Sequence, residues 1–344
     1  MIHVPYRVRQ GLKRTAVTIL ALVALAAAVG IFWFAWLQRF VVYTRDRGVV
    51  IDMHLSGDFP EGEVAKPDVQ ETVPICFDVP EEEVVISHDL KQMLGFYIDQ
   101  ETLKTQMDMV QTQVQLLQKD TPVMLDVKDA KGRFFYSSNI NSLRNGSIDT
   151  ATMDALIRQL KDKDVYLIAR LPALRDYNFG LTSTSNGLFV ASGGYLWADD
   201  DYCYWLDPTK DGTLAYLIEI VKELKSLGFD EVVFDEFRFP DTTDLLFSGD
   251  RTQALNNAAK TLMSSCATDQ FAVSFMKQVE GLTLPKGRGR LYITDIAAAD
   301  ADKTAQSSGV TNPTVNLVFL TPYHDTRFNK YSALRPIESA EATE

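Results

Sequence analysis

The chain has 344 residues, 46% of them hydrophobic and 23% charged, with 34 Lys+Arg against 46 Asp+Glu and a formal net charge of -12. That length suits one large domain or two ordinary ones, and the composition supports a sizeable core and excludes wholesale disorder. Three cysteines, Cys76, Cys203 and Cys266, exclude a disulfide-dense miniprotein, allow at most one bridge and match no zinc-site spacing.

The charge is uneven along the chain. Residues 1–47 hold seven basic side chains and one acidic one, Asp46, a net of +6, which leaves -18 on the remainder. A body that acidic repels phosphate backbones, so no nucleic-acid partner is expected. Residues 1–14 read as a basic cytoplasmic tail with Arg7, Arg9, Lys13 and Arg14. Residues 15–37, TAVTILALVALAAAVGIFWFAWL, run for 23 residues without a charge. That is enough to span a bilayer with some tilt. Trp33, Trp36 and Tyr43 sit near its far end, where aromatic belts lie. The reading is a single-pass signal anchor in the cell membrane, with the C-terminal domain extracytoplasmic and the lipid bilayer as one partner. The competing reading is a signal peptide cut near Ala26–Ala28. Against it, the apolar run continues through Ile31–Leu37, beyond the 7–15 residues of a signal core. Either way the acidic body is exported.

Residues 38–88 are rich in acid and proline (GDFPEGEVAKPDVQETVP, then DVPEEEV) and read as a stalk of low helix content. Residues 338–344 read as a disordered acidic tail. No internal repeat is evident at periods of 20–50 residues. Between stalk and tail, residues 89–337 alternate in pattern. Short apolar runs read as buried strands: MLGFYI (93–98), VMLDV (123–127), VYLIARL (165–171), EVVFDE (231–236), FAVSF (271–275), RLYIT (290–294) and NLVFL (316–320). Amphipathic helices are predicted over 101–118 (Leu103, Met107, Val110, Val114, Leu117), 150–161 (Met153, Leu156, Leu160) and 213–227 (Leu214, Leu217, Ile218, Val221, Leu224, Leu227). Asp207-Pro208 leads into the last of these, and Gly228 ends it.

Strands apolar on both faces and joined by helices imply a parallel sheet with right-handed crossovers. The expected fold is α/β, a (β/α)8 TIM-type barrel, complete or one strand short, since seven strands are visible and the barrel needs eight. An open doubly wound sheet is the runner-up, although the glycine-rich phosphate turn that often marks it is missing.

In either fold, sites lie at the carboxyl ends of the strands. GFDEVVFDEFRFP (228–240) is the strongest candidate. If Val233 faces the barrel lumen, Asp235 points into its mouth, with Glu236 at the rim and Arg238 after it. A carboxylate fixed at a partly desolvated mouth is what a nucleophile or general base needs. An Asp–Arg pair that merely closes the barrel fits the residues equally well. LDVKD (125–129) places Asp126 and Lys128 on one face and Asp129 in the loop. Arg170 ends its strand as an expected neighbour of Asp235, able to keep it ionised and to bind a substrate hydroxyl. A buried salt-bridge network is the simpler account of both. Asp295 and His324 complete the rim. The insertion 176–206 gathers Tyr195, Trp197, Tyr202, Tyr204 and Trp205, a platform for sugar faces or a loop with its own aromatic core. Asp199–Asp201 offer oxygen ligands to a cation, but adjacent aspartates more often make a solvated turn. No metal site and no cofactor are expected, and GxSxG, HExxH, P-loop and CxxC motifs are absent.

Five blocks, GFYID (95–99), VMLDVKDAKGRFFY (123–136), VYLIARLPALRD (165–176), GLFVASGGYLWADDDYCYWLDP (187–208) and GFDEVVFDEFRFP (228–240), together resemble the bacterial putative glycoside hydrolase domains, relatives of the α-amylase-like TIM barrels. The resemblance spans roughly residues 93–325. It implies a (β/α)8 barrel and a carbohydrate ligand. Asp126, Lys128 and Asp129 match the family's VIDVKD-like block, Arg170 its IAR block, Trp205, Asp207 and Pro208 its WLDP block, and Asp235, Arg238, Phe239 and Pro240 its FDYxRFP block. Glu236 stands where that block has Tyr. VSFMKQ (273–278) lacks an expected Asp and Phe-Gly. FLTPYHD (319–325), with Tyr323 and His324, only loosely resembles the family's late Met-x-Tyr-Pro-Ser-His-Tyr segment.

The expected function is therefore a membrane-anchored glycoside hydrolase acting on a polysaccharide or cell-wall glycan. Asp235 would be nucleophile or base and Glu236, then Asp295, the acid. Trp197 and the matched residues Asp126, Lys128, Asp129, Arg170, Trp205, Asp207, Arg238, Tyr323 and His324 would bind substrate. Two carboxyl groups about 5–5.5 Å apart serve retention, and about 6.5–9.5 Å apart inversion. Adjacent strand residues point apart, so Glu236 serves only if the chain turns immediately after Asp235. The alternatives are a non-catalytic carbohydrate-binding or wall-associated module and a purely structural ectodomain.

Overall fold

In the computed structural model, the described residues are 90–140 and 148–337, the backbone segments Val41–Thr44 and Gly48–Ile51, and the positions Val29 and Trp33. The expected span 15–37 lies outside them apart from Val29 and Trp33, as do most of the expected stalk and the tail 338–344. No helix among the described residues is long and apolar enough to cross a membrane. The chain divides into two units, residues 1–77 and 78–344. In the first, Val41–Thr44 pairs antiparallel with Gly48–Ile51. Each strand carries a pair of β-branched valines, which favour extended backbone.

The second unit is a closed barrel of eight parallel strands: β1 (Leu94–Ile98), β2 (Pro122–Asp126), β3 (Tyr166–Pro172), β4 (Glu231–Asp235), β5 (Ala272–Met276), β6 (Leu291–Ile293), β7 (Leu317–Leu320) and β8 (Ser332–Pro336). Each pairs with its sequence neighbour, and β8 closes on β1 through Ala333↔Leu94 to Pro336↔Tyr97. That closure rules out both the open sheet and the incomplete barrel. The eighth strand, SALRP, escapes sequence reading because Arg335 and Pro336 break its apolar run. Pro336 is tolerated because it ends the strand.

Alternation explains why the strands look apolar throughout. Met124, Ile168, Val233, Met276, Tyr292, Val318, Leu320 and Leu334 fill the lumen. Their strand neighbours, such as Leu125, Ala169, Val232, Phe234 and Phe275, pack outward beneath the helices. The helices are α1 (Gln100–Thr105), α2 (Met107–Leu116), α3 (Thr150–Asp162), α4 (Tyr177–Thr182), α5 (Asp211–Leu227), α6 (Arg251–Cys266), α7 (Ala301–Ser307) and α8 (Pro313–Asn316). Asp99, Asp149, Asp176 and Asp250 cap α1, α3, α4 and α6 by accepting a backbone N–H from the first turn. The single helix predicted over 101–118 is two, because Gln106 (φ -134°, ψ 31°) leaves the helical region. Gly228, at φ 91°, ends α5 in the left-handed conformation that glycine adopts without a Cβ penalty. Cys203 and Cys266 are buried free thiols, not a bridge; Cys76 lies outside the described residues.

The floor of the barrel is ionic. Glu231 opens β4 and is fully buried. It pairs with Arg290 and accepts hydrogen bonds from Tyr166 (2.9 Å), Tyr292 (2.9 Å) and Ser274. Arg290 spends further donors on the carbonyls of Lys91 and Val315. Every oxygen of this buried carboxylate is occupied, the condition under which an internal ion pair is tolerated.

Candidate functional site

At the opposite, carboxyl-terminal end, the lumen columns of β1 to β4 continue into charge. Two residues beyond Tyr97, Met124, Ile168 and Val233 come Asp99, Asp126, Arg170 and Asp235. Asp126 and Arg170 are register partners. Arg170 donates Nε to Asp126 Oδ1 at 2.6 Å and Nη2 to Oδ2 at 2.9 Å, a bidentate pair. The Gln100 N–H adds a third bond to Asp126 at 2.8 Å. Burial works against the Arg170 charge, but Asp126, and beyond it Asp235 and Asp99, outweigh burial and hold it above its ordinary range.

Asp235 is half-buried. Burial pushes its carboxyl up from the usual carboxylate range, and the nearby Asp126 charge adds to the rise. Arg170 and the Glu236 backbone N–H, which donates to Oδ1 at 2.7 Å, pull the other way. Immediately after Asp235 the chain turns: Glu236 sits at φ 46°, a left-handed conformation costing of order 1–3 kcal/mol in a non-glycine residue. This is the turn on which a role for Glu236 depends. Burial raises the Glu236 carboxyl as well, Asp235 raises it further, and Arg238 opposes both. Arg238 Nε donates to Glu236 Oε2 at 2.9 Å.

The insertion supports that arginine. The Arg238 guanidinium lies 4.8 Å from the centroid of the Trp205 ring, and Trp205 Nε1 donates to Asp199 at 3.0 Å. Asp199 also accepts from Arg175 Nε at 2.6 Å, and Arg175 reaches Asp201 at 2.6 Å. Two of the three aspartates that could have offered ligands to a cation, Asp199 and Asp201, are thus engaged by a guanidinium. Among the described residues no three His, Cys, Asp or Glu side chains gather as a metal site.

Several expected ligands of a substrate are placed elsewhere. Lys128 is buried, 2.7 Å from Asp176 Oδ2, and donates to the Pro172 carbonyl. That leaves its ammonium no surface for a ligand. Asp129 folds its own loop, accepting from the N–H groups of Lys131 and Arg133 and from the Arg133 side chain. Asp207 accepts from the Thr209 N–H and hydroxyl in the turn before α5. Trp205 is 2% exposed and covered by Arg238, so it braces the site and offers no sugar platform. Trp197 is half-buried against the core. Asp295 is exposed, at φ 59°, and joins none of the hydrogen bonds that tie Asp126, Arg170, Asp235 and Glu236 together. Tyr323 and His324 are exposed in the loop after β7. Asp99 and Arg175 were missed, although both stand in the quoted blocks GFYID and VYLIARLPALRD. The alternation Tyr97–Asp99 could have found the first.

A family described as putative glycosyl hydrolase domain matches residues 95–279, just over half the chain. Among solved structures, a hypothetical protein from Ruminiclostridium thermocellum ATCC 27405 is 24% identical, with 55% of this chain and 100% of that one covered and a TM-score of 0.46. The GH20 β-N-acetylhexosaminidase from Streptomyces coelicolor A3(2) is 13% identical, with 65% and 47% covered and a TM-score of 0.41. The GH20 exo-β-N-acetylglucosaminidase from Vibrio harveyi, solved with N-acetylglucosamine, is 10% identical, with 71% and 50% covered and a TM-score of 0.49. The chain spans about half the length of these two enzymes. No curated protein matches it.

Proposed function

Because the chain belongs to the putative glycosyl hydrolase domain family, we propose that it is a membrane-anchored, extracytoplasmic glycoside hydrolase. Its reaction would take place at the β4 end of the barrel. The observation that carries the reading is the carboxyl pair Asp235–Glu236, kept together by the left-handed turn at Glu236 and both raised by burial. Glycosidic cleavage needs one carboxyl to give a proton to the leaving oxygen and an anion to answer the positive charge on the sugar ring. Burial and the Asp235 charge both raise the Glu236 carboxyl, which favours its protonated form beside an ionised Asp235. Asp235 has the Arg170 guanidinium and a backbone N–H to stabilise its anion. It takes the nucleophile or base role, and Glu236 the acid. Arg170, itself oriented by Asp126, positions Asp235 and offers remaining donors to a substrate hydroxyl. The uncharged 23-residue run 15–37 supports the anchor, and the export it implies supports a polysaccharide as substrate.

The test uses the full chain, Asp235→Asn and Glu236→Gln, each shown to be folded, against a panel of cell-wall and plant polysaccharides. New reducing ends from the parent, lost in both variants, are expected. No release from any glycan would turn the assignment to the second reading, a non-catalytic carbohydrate-binding module. That reading is favoured by the ion pair that already occupies Glu236 and by the lumen columns of β5 to β8, which carry no charge toward the mouth.

A further inference from the structure

Near the mouth, the Arg251 guanidinium forms no ion pair. Among the described residues Arg133, Arg170, Arg175, Arg238, Arg290 and Arg327 are ion-paired. Arg251, the first residue of α6, is half-buried and is held by neutral contacts alone. Its Nη2 donates to the Thr242 carbonyl at 2.9 Å, and its guanidinium lies 5.6 Å from the centroid of the Phe239 ring. A guanidinium carries five N–H donors, so most remain free on a group already oriented.

Arg251 lines a cavity of about 390 Å³ between the loop after β4, the first turn of α6 and the loop after β5. Arg238 lines it too, and the same guanidinium donates to Glu236, so one arginine links the cavity to the carboxyl pair. Thr252 and Gln278 add neutral hydrogen-bonding groups. Asp241, the one carboxylate lining it, is exposed. The volume is in the range of small-ligand pockets.

We propose that this cavity is a subsite for a sugar residue bearing an anionic group, a carboxylate or a sulfate ester, seated on Arg251 and Arg238 beside Glu236. That the ligand is a sugar rests on the hydrolase reading; that it is anionic rests on the two arginines. Both oxyanions accept parallel N–H bonds from a guanidinium fork. A neutral sugar in the same place would leave the Arg251 charge uncompensated in a half-buried cavity, so the subsite selects by charge. It also bears on the acid. An anion on Arg238 competes with Glu236 for the same guanidinium. Glu236 then loses part of the charge that opposes its rise, which favours the protonated form a general acid needs.

The experiment is a calorimetric titration of the full chain with galacturonate oligomers, their methyl esters, and sulfated and neutral galactose oligomers. Arg251→Gln and Arg251→Lys are titrated beside it, each checked for a cooperative thermal transition. The parent is expected to bind a charged oligomer at least tenfold more tightly than its uncharged counterpart, and the arm that binds identifies the anion. Arg251→Gln should lose that discrimination and Arg251→Lys keep part of it. Equal affinity for charged and uncharged oligomers, no binding of any charged oligomer, or discrimination that survives in folded Arg251→Gln would overturn the subsite. Arg251-dependent binding without new reducing ends would retain the subsite and remove the hydrolase. Cleavage of neutral glycans without charge discrimination would do the reverse.

Discussion

The two halves of the barrel mouth are built from the same kind of strand and end differently. On β1 to β4 the lumen columns run out into Asp99, Asp126, Arg170 and Asp235. On β5 to β8 the columns of Met276, Tyr292, Val318 and Leu334 carry no charge toward the mouth, the charge of Arg290 lying at the floor. Barrel closure asks only that the lumen be filled, and the second half shows that apolar side chains suffice. Charge on the first half is therefore no requirement of the fold. The family match, residues 95–279, covers the strands that carry it and stops just after β5. The floor makes a second contrast. There the Glu231–Arg290 pair is sealed and fully bonded, whereas Asp235 at the mouth has one backbone donor and a neighbouring guanidinium. A sealed carboxylate can only stabilise; a partly satisfied one can react.

The largest expected effect tests the charged half directly. Asp235→Asn should lower glycan cleavage by about 10²–10⁴-fold, the usual worth of a positioned proton-transfer group or nucleophile, measured as new reducing ends. A loss under threefold would remove the distinction between the halves. Next, Glu231→Gln at the floor should cost about 3 kcal/mol in chemical denaturation, because it leaves Arg290 buried without its counter-charge. A loss below 1 kcal/mol would show the floor to be no more than filling.

Arg170→Met sharpens the comparison through pH. Arg170 lowers the Asp235 pKa, so its removal lets burial push the carboxyl higher. The acid limb of the pH–rate profile should then move to higher pH; an unmoved limb would separate Arg170 from Asp235. Stability gives the converse. The folded Asp235 binds its proton more tightly than the unfolded one does. Between the ordinary carboxylate pKa and the raised one, its contribution is lost as pH rises. Asp235→Asn should therefore unfold at a higher temperature than the parent at neutral pH, with the gap closing in acid. A variant that melts lower at neutral pH would contradict the burial cost. The smallest effect belongs to the other half: Leu320→Met, a volume-conserving change in the lumen, should alter activity less than twofold and stability by under about 1.5 kcal/mol.

How much was legible follows from how each feature is encoded. Seven strands could be read because a parallel barrel buries both faces of each strand, leaving short apolar runs such as VYLIARL. The helix over 213–227 was legible from its leucine spacing and its Gly228 stop, whereas α6 was not, because Ala254, Ala258 and Ala259 dilute the larger apolar side chains of its buried face. Asp235 was found by extending the lumen column of Val233. Lys128 and Asp235 have similar addresses in sequence, a charge at or just past the end of a strand, yet one is a buried partner of Asp176 and the other stands at the mouth.

The sequence by itself determined the strand–helix alternation, the parallel sheet, the uncharged segment 15–37 and the candidate carboxylate at the end of the fourth strand. All of these are local patterns, written in the spacing of neighbouring residues. Tertiary structure alone decided that SALRP closes the ring, that Glu236 turns in the left-handed region beside Asp235, that Trp205 is covered by Arg238, and that Arg251 is left without a carboxylate. Each depends on which side chain a residue meets across the fold. The free energy of a charge or a strained turn is fixed by that neighbour and its burial, and no spacing along the chain records it.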